Sequence, residues 1–166
     1  MLIYIYIYIY IYFSPQENKK QIPLEVFLHR RLNHKNIIKL LDFFECAQSV
    51  ILVLERPEMH MDLFDLISDQ EFLPEKMARK IFRQVLEATS YCESKGVFHR
   101  DIKDENVILD LKAGKVKLAD FGSGAELKDT VYTDYEGIRF ERTWALRMSF
   151  INVVCCVGSV EIQIEI

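Results

Sequence analysis

His99-Arg100-Asp101-Ile102-Lys103-Asp104-Glu105-Asn106, followed downstream by Asp120-Phe121-Gly122, decides how this chain reads. Written as patterns, the two are H-R-D-x-x-x-x-N and D-F-G. Three residues recur by chance, but the longer stretch fixes several chemically constrained positions at once, and the two motifs stand in order. Between them, Val107–Leu109 and Val116–Leu118 are short apolar runs flanking a turn that contains Gly114, the pattern of a small hairpin. Such a hairpin returns Asp120 to the neighbourhood of Asp101 and Asn106.

Together the motifs resemble the catalytic loop and metal-binding loop of protein kinases. The resemblance is closest to the PIM family of serine/threonine kinases, over about residues 22–139. It is carried by Ile22-Pro23-Leu24-Glu25-Val26, Leu54-Glu55-Arg56-Pro57-Glu58, Asp62-Leu63-Phe64-Asp65, the long motif itself, Asp120-Phe121-Gly122-Ser123-Gly124-Ala125 and Lys128-Asp129-Thr130-Val131-Tyr132-Thr133-Asp134. Pro57 is diagnostic: proline has no N–H, and the PIM kinases are known for a proline where other kinases offer an adenine-binding donor.

The resemblance implies roles residue by residue. Asp101 is the catalytic base, Lys103 touches the transferring phosphate and argues for Ser/Thr acceptors, and Asn106 and Asp120 hold Mg2+ against the phosphates of ATP. Glu25 matches the helix glutamate that pairs with the V-A-I-K lysine. Glu55 and Asp62 border the ATP site. Asp62, Asp65 and Glu105 match acidic positions that contact ribose or basic substrate residues, so ATP and basic protein or peptide substrates are the expected partners. Arg100 is expected to bridge carboxylates or a phosphate; His99 and Phe121 are expected to pack. Tyr132 and Thr133 are candidate phosphorylation sites.

Outward from the motifs, Pro74 to Lys95 predicts a long helix. Its stripe is Met77, Ala78, Ile81, Phe82, Val85, Leu86, Thr89 and Cys92, with Gly96 as left-handed cap. Leu24 to Leu32 has helical spacing. Ile37–Phe44 and Val50–Leu54 predict paired strands, and Asp62 is placed to cap a short helix over Leu63–Ser68. Ile3 to Tyr12 is five Ile-Tyr pairs. Alternating β-formers predict a strand, yet both faces would be apolar, which is an aggregation hazard. An AT-dinucleotide repeat also translates into this run, so translated repeat DNA stays open as its origin. The implied fold is α+β, an incomplete protein-kinase-like domain. Residues 1–21 are a low-complexity run and linker, 22–140 the partial kinase domain, and 141–166 a divergent apolar tail.

Composition excludes other classes. The 166 residues carry a net charge of -4 with a pI near 5.6, leaving no basic footprint for nucleic acid. Cys46, Cys92, Cys155 and Cys156 match no zinc or disulfide framework. No stretch approaches the ~20 apolar residues needed to span a bilayer. A reduced cytoplasmic or nuclear setting is therefore expected. Oligomeric state is left open.

The pattern also breaks. Neither a Gly-rich phosphate loop nor a V-A-I-K lysine precedes Glu25, and His29 stands where the family has an apolar residue. Ile138 replaces a threonine in Gly137-Ile138-Arg139, and no A-P-E motif follows Phe140. The expectation is a kinase by family, whose chain as given has little activity. A kinase-derived binding module and a non-functional gene-model fragment are the rival readings.

Overall fold

The computed structural model describes residues 2–8, 22–46, 49–70 and 73–127. The linker, Tyr132 and Thr133, the Gly137-Ile138-Arg139 departure, the tail and its two cysteines lie outside the described residues. The hairpin between the motifs forms as expected: β6 (Val107–Asp110) and β7 (Lys115–Leu118) pair antiparallel, Val107 opposite Leu118. Alternation drives it, since Val107, Leu109, Val116 and Leu118 all turn inward and are 6% exposed or less. Gly114, at φ +61°, supplies the left-handed turn residue.

The long helix is α3 (Glu75–Ser94), with Pro74 just before it and Gly96 at φ +69° just past its end. Ala78, Ile81, Phe82, Val85, Ala88, Thr89 and Cys92 form its buried stripe. Burying side chains such as Ile81, Phe82 and Val85 contributes ~1.5–3 kcal/mol each. Burial pushes the Cys92 thiol up to about 12, so it stays protonated; Cys46, the other described cysteine, is free and exposed. Helix α2 (Leu63–Gln70) starts where expected, because Asp62 Oδ1 accepts from the Asp65 N–H at 2.7 Å.

Two expectations need correction. The first helix, α1 (Leu24–His29), stops short of Leu32. The N–H groups of Arg31 and Leu32 reach back only three residues, to Leu28 and His29, so the last turn tightens and ends. Ile37 and Ile38 do not begin the predicted strand. Its ordered part, β2 (Leu40–Glu45), pairs antiparallel with β3 (Val50–Arg56), whereas Ile37 bridges Leu118 of β7 in parallel and the Ile38 N–H donates to the Leu118 carbonyl at 2.9 Å. A continuous apolar run specifies burial, not its partner.

Three strands were too short for periodicity to announce. β4 (His60–Asp62) adds to β6, while β5 (Val97–Phe98) pairs with β8 (Ala125–Glu126). β1 (Leu2–Tyr8), cut from the Ile-Tyr run, lies antiparallel on β3 in an unbroken register from Leu2 opposite Arg56 to Tyr8 opposite Val50, completing the order β1-β3-β2. A smaller apolar cluster of Val26, Ile38, Val50, Leu52 and Leu54 underlies this sheet, and a larger one surrounds α3. Helix α1 serves both, with Val26 in the first and Phe27 and Leu28 in the second.

Candidate active site

The 3-10 turn Asp104–Asn106 runs straight into β6, and the Asn106 side chain is buried there. Its Nδ2 donates to the Asp101 carbonyl at 2.8 Å and to Asp101 Oδ2 at 3.0 Å. On the other flank Lys103 Nζ stands 3.2 Å from the same Oδ2. Hydrogen bonding to Asp101, with its charge adding, raises the Lys103 pKa above its ordinary value. The Asp101 carboxylate, partly open to solvent, is thus held in one orientation by two donors. Asp120 arrives from β7, where the Ala119 N–H donates to the Asn106 carbonyl at 2.9 Å. Asp120 sits at φ +61°, and its Oδ1 accepts from the Gly122 N–H at 3.0 Å. A non-glycine residue held at positive φ stores strain that surrounding contacts must offset.

These groups suit magnesium. With Nδ2 committed to Asp101, the remaining acceptor of the Asn106 amide is Oδ1, a hard donor like the Asp120 carboxylate. Among the described residues no three His, Cys, Asp or Glu side chains cluster as a metal site. Magnesium commonly binds through few protein oxygens and keeps phosphate and water for the rest of its shell.

His99 and Phe121 support the site from beneath, as their packing reading expected: both are at most 2% exposed, with ring centroids 4.7 Å apart. His99 Nε2 donates to the Ala119 carbonyl at 2.9 Å and Nδ1 accepts from the Asp101 N–H at 3.3 Å. Both contacts are satisfied by one neutral tautomer, and burial lowers the His99 pKa. His29 also packs on Phe121, with ring centroids 4.8 Å apart and tilted, and its Nε2 donates to the Ile38 carbonyl at 2.6 Å. Arg100 differs from expectation. At φ +67° its guanidinium donates to backbone carbonyls, at 2.6 Å from Ser123 and 3.4 Å from Gly124.

The remaining candidates fall in three places. Glu25, 2% exposed on α1, lies against the metal-motif turn: a β-carbon on Gly122 would stand 3.7 Å from its Oε2. Asp62 and Asp65 lie at the start of α2, which packs against the turn bearing Glu105; Asp65 and Glu105 are exposed. Glu55, near the end of β3, forms an ion pair with Lys117 of β7. Pro57, two residues on, is buried. Two residues escaped sequence reasoning. Lys117 is the outward position of an alternating strand, which marks a solvated charge until its partner is known. Gly124 is required because a β-carbon there would meet Leu28 Cδ1 at 2.8 Å and the Phe121 carbonyl at 2.9 Å; the second glycine after Phe121 was its only signal.

The protein kinase domain model matches residues 10–140. Serine/threonine-protein kinase pim-2 of Danio rerio is 50% identical over 107 residues, covering 64% of this chain and 34% of that protein. Serine/threonine-protein kinase prk-2 of Caenorhabditis elegans is 34% identical over 145 residues, covering 86% of this chain and 33% of that protein. Kinases of other groups match as well, such as the PAS domain-containing serine/threonine-protein kinase of Mus musculus, 43% identical over 108 residues, 65% of this chain and 8% of that protein. The chain spans about a third of the length of pim-2 and prk-2.

Proposed function

The chain belongs to the protein kinase domain family, and from that premise we propose that its site serves transfer of the ATP γ-phosphoryl group to serine and threonine hydroxyls of proteins, in the manner of the PIM kinases. The observation that carries the reading is the Asp101 carboxylate, oriented by Asn106 Nδ2 and Lys103 Nζ, with Asp120 delivered to the same end of the β6–β7 hairpin. In the transfer, the acceptor oxygen bonds to the γ-phosphorus as the bond to the bridging β,γ-oxygen breaks. ADP departs with that electron pair, and the hydroxyl proton passes to Asp101. Lys103 places positive charge where the transferring group becomes most anionic. Bound magnesium, held by Asn106 and Asp120, would screen the phosphates.

Asp62, Asp65 and Glu105 support a preference for basic peptides: they stand on adjoining elements, and carboxylates select arginine through charge-assisted hydrogen bonds. Glu55 and Asp62 are assigned to the nucleoside side and Glu25 to the magnesium side. A cytoplasmic or nuclear setting fits this role. Among the described residues no helix is long and apolar enough to cross a membrane.

One observation favours a second reading, nucleotide binding with little turnover. The strand beside β3 is Leu-Ile-Tyr-Ile-Tyr-Ile-Tyr, which brings neither lysine nor glycine to the phosphates. Measuring transfer from ATP to an arginine-rich serine peptide, alongside ATP binding, separates the two. Transfer that falls ~100-fold or more in Asp101→Asn supports the enzyme. Magnesium-dependent ATP binding with transfer no greater than in Asp101→Asn supports the binding module. Absence of both contradicts the proposal.

A further inference from the structure

The Glu55–Lys117 ion pair stands apart from its counterparts. Its side chains are 21% and 15% exposed, whereas Arg31–Glu126, Lys35–Glu87 and Lys112–Glu58 leave at least a third of each side chain in solvent. Its position is also particular. Glu55 lies two residues before Pro57 in β3, and Lys117 three residues before Asp120 in β7. Val116 and Leu118 point into the core from β7, so Lys117 leaves its opposite face and reaches the carboxylate of a strand in a different sheet. The same seam is stitched by backbone hydrogen bonds. The Leu118 N–H donates to the Asn36 carbonyl at 2.9 Å and the Ile38 N–H to the Leu118 carbonyl at 2.9 Å. Those bonds hold β7 at Leu118 against residues 36–38; the ion pair holds it against β3.

We propose that Glu55 and Lys117 form the joint that sets the spacing between the β3 end and the β7 end bearing Asp120, which makes Lys117 a positioning residue for bound nucleotide. The proposal rests on the kinase reading for its ligand. The joint itself rests on geometry alone. The physics favours a stiff joint. Two opposite charges largely withdrawn from water attract strongly, and removing one strands the other in a poorly solvated place. Neither charge then has a cheap alternative position. A shift of β3 relative to β7 would therefore have to break the pair, and the nucleotide, which must reach from the β3 end to Asp120, meets a fixed span.

The test uses the full chain in four forms: wild type, Glu55→Gln, Lys117→Met and the exchange E55K/K117E. Glutamine and methionine preserve length, and the exchange restores opposite charges if either single variant folds poorly. Amide hydrogen exchange is read at Glu55, whose N–H donates to the Lys39 carbonyl, and at Leu118 and Ala119, whose N–H groups donate to Asn36 and Asn106. Each single variant should speed exchange at least ~10-fold on both strands, and the charge exchange should recover most of the protection. The dissociation constant for ADP should rise at least ~5-fold in Lys117→Met. Faster exchange confined to the mutated strand, or unchanged ADP affinity in Lys117→Met, would overturn the proposal. Wild type that binds no ADP would overturn the kinase reading and the positioning role. The cross-strand exchange data would still decide whether the joint exists.

Discussion

Asp101 illustrates how far single residues were legible. Its motif singled out the residue and suggested the chemistry proposed for it, and the structure adds the two donors that aim its carboxylate. Asn106 is the more revealing neighbour, because one amide bonds the Asp101 carbonyl and carboxylate while its oxygen remains for a cation. Replacing it with alanine strips the part-buried Asp101 carbonyl and carboxylate of a donor. Asn106→Ala should cost ~1–3 kcal/mol in denaturant unfolding and weaken magnesium-dependent ATP binding as well. An unchanged midpoint and affinity would show that the amide neither orients nor binds. Lys117 was illegible for a physical reason: a lysine on the outward face of a strand looks solvated until the strand that covers it is placed. The backbone partners of Arg100 were hidden likewise, since the sequence offers its donors to any acceptor and only the loop path shows that Ser123 and Gly124 present carbonyls to it.

Elements with strong periodicity were readable and short ones were not. Helix α3 and the β6–β7 hairpin follow from apolar spacing and from Pro74, Gly96 and Gly114, which leave little choice of start, stop or turn. β5 and β8 comprise two residues each, so their pairing comes wholly from tertiary geometry, as does the diversion of Ile37 and Ile38 to β7. β1 was readable as a strand, though nothing in a repeated Ile-Tyr pair selects β3 as its partner. The contact of α1 with the metal-motif loop is tight at one point. Gly124→Ala would push a methyl group into Leu28 and the Phe121 carbonyl. That overpacking should cost ~1–3 kcal/mol, and Tm should fall by several degrees. Gly122→Ala, whose nearest neighbours would be Asp120 Oδ1 at 3.1 Å and Glu25 Oε2 at 3.7 Å, should cost less. Equal losses would mean that α1 does not seat against Gly124.

Over the whole molecule, the α+β kinase-like plan was legible because one pair of motifs implies an entire arrangement, while the seam between the two apolar clusters was not. That seam holds two buried histidines, His29 and His99, whose pKa values are lowered chiefly by burial. Lowered folded-state values mean that the unfolded chain takes up these protons first. Stability is therefore complete above pH ~6.5 and lost as pH falls below it, by up to ~1.4 kcal/mol per pH unit for each histidine. Tm should drop between pH 7.5 and 5.5, and His29→Leu should flatten that slope; a slope identical to wild type would remove His29 from the account. The central claim is that Asn106 and Asp120 make this fold a magnesium–nucleotide site, and thermal unfolding with ATP tests it most directly. With ATP and magnesium at ~100 times the dissociation constant, linkage contributes ~2.7 kcal/mol and should raise Tm by ~5–10 °C. That rise is expected in wild type, lost when magnesium is chelated and lost in Asp120→Asn; no rise in wild type, or an equal rise in Asp120→Asn, would contradict the magnesium–nucleotide role of these two residues.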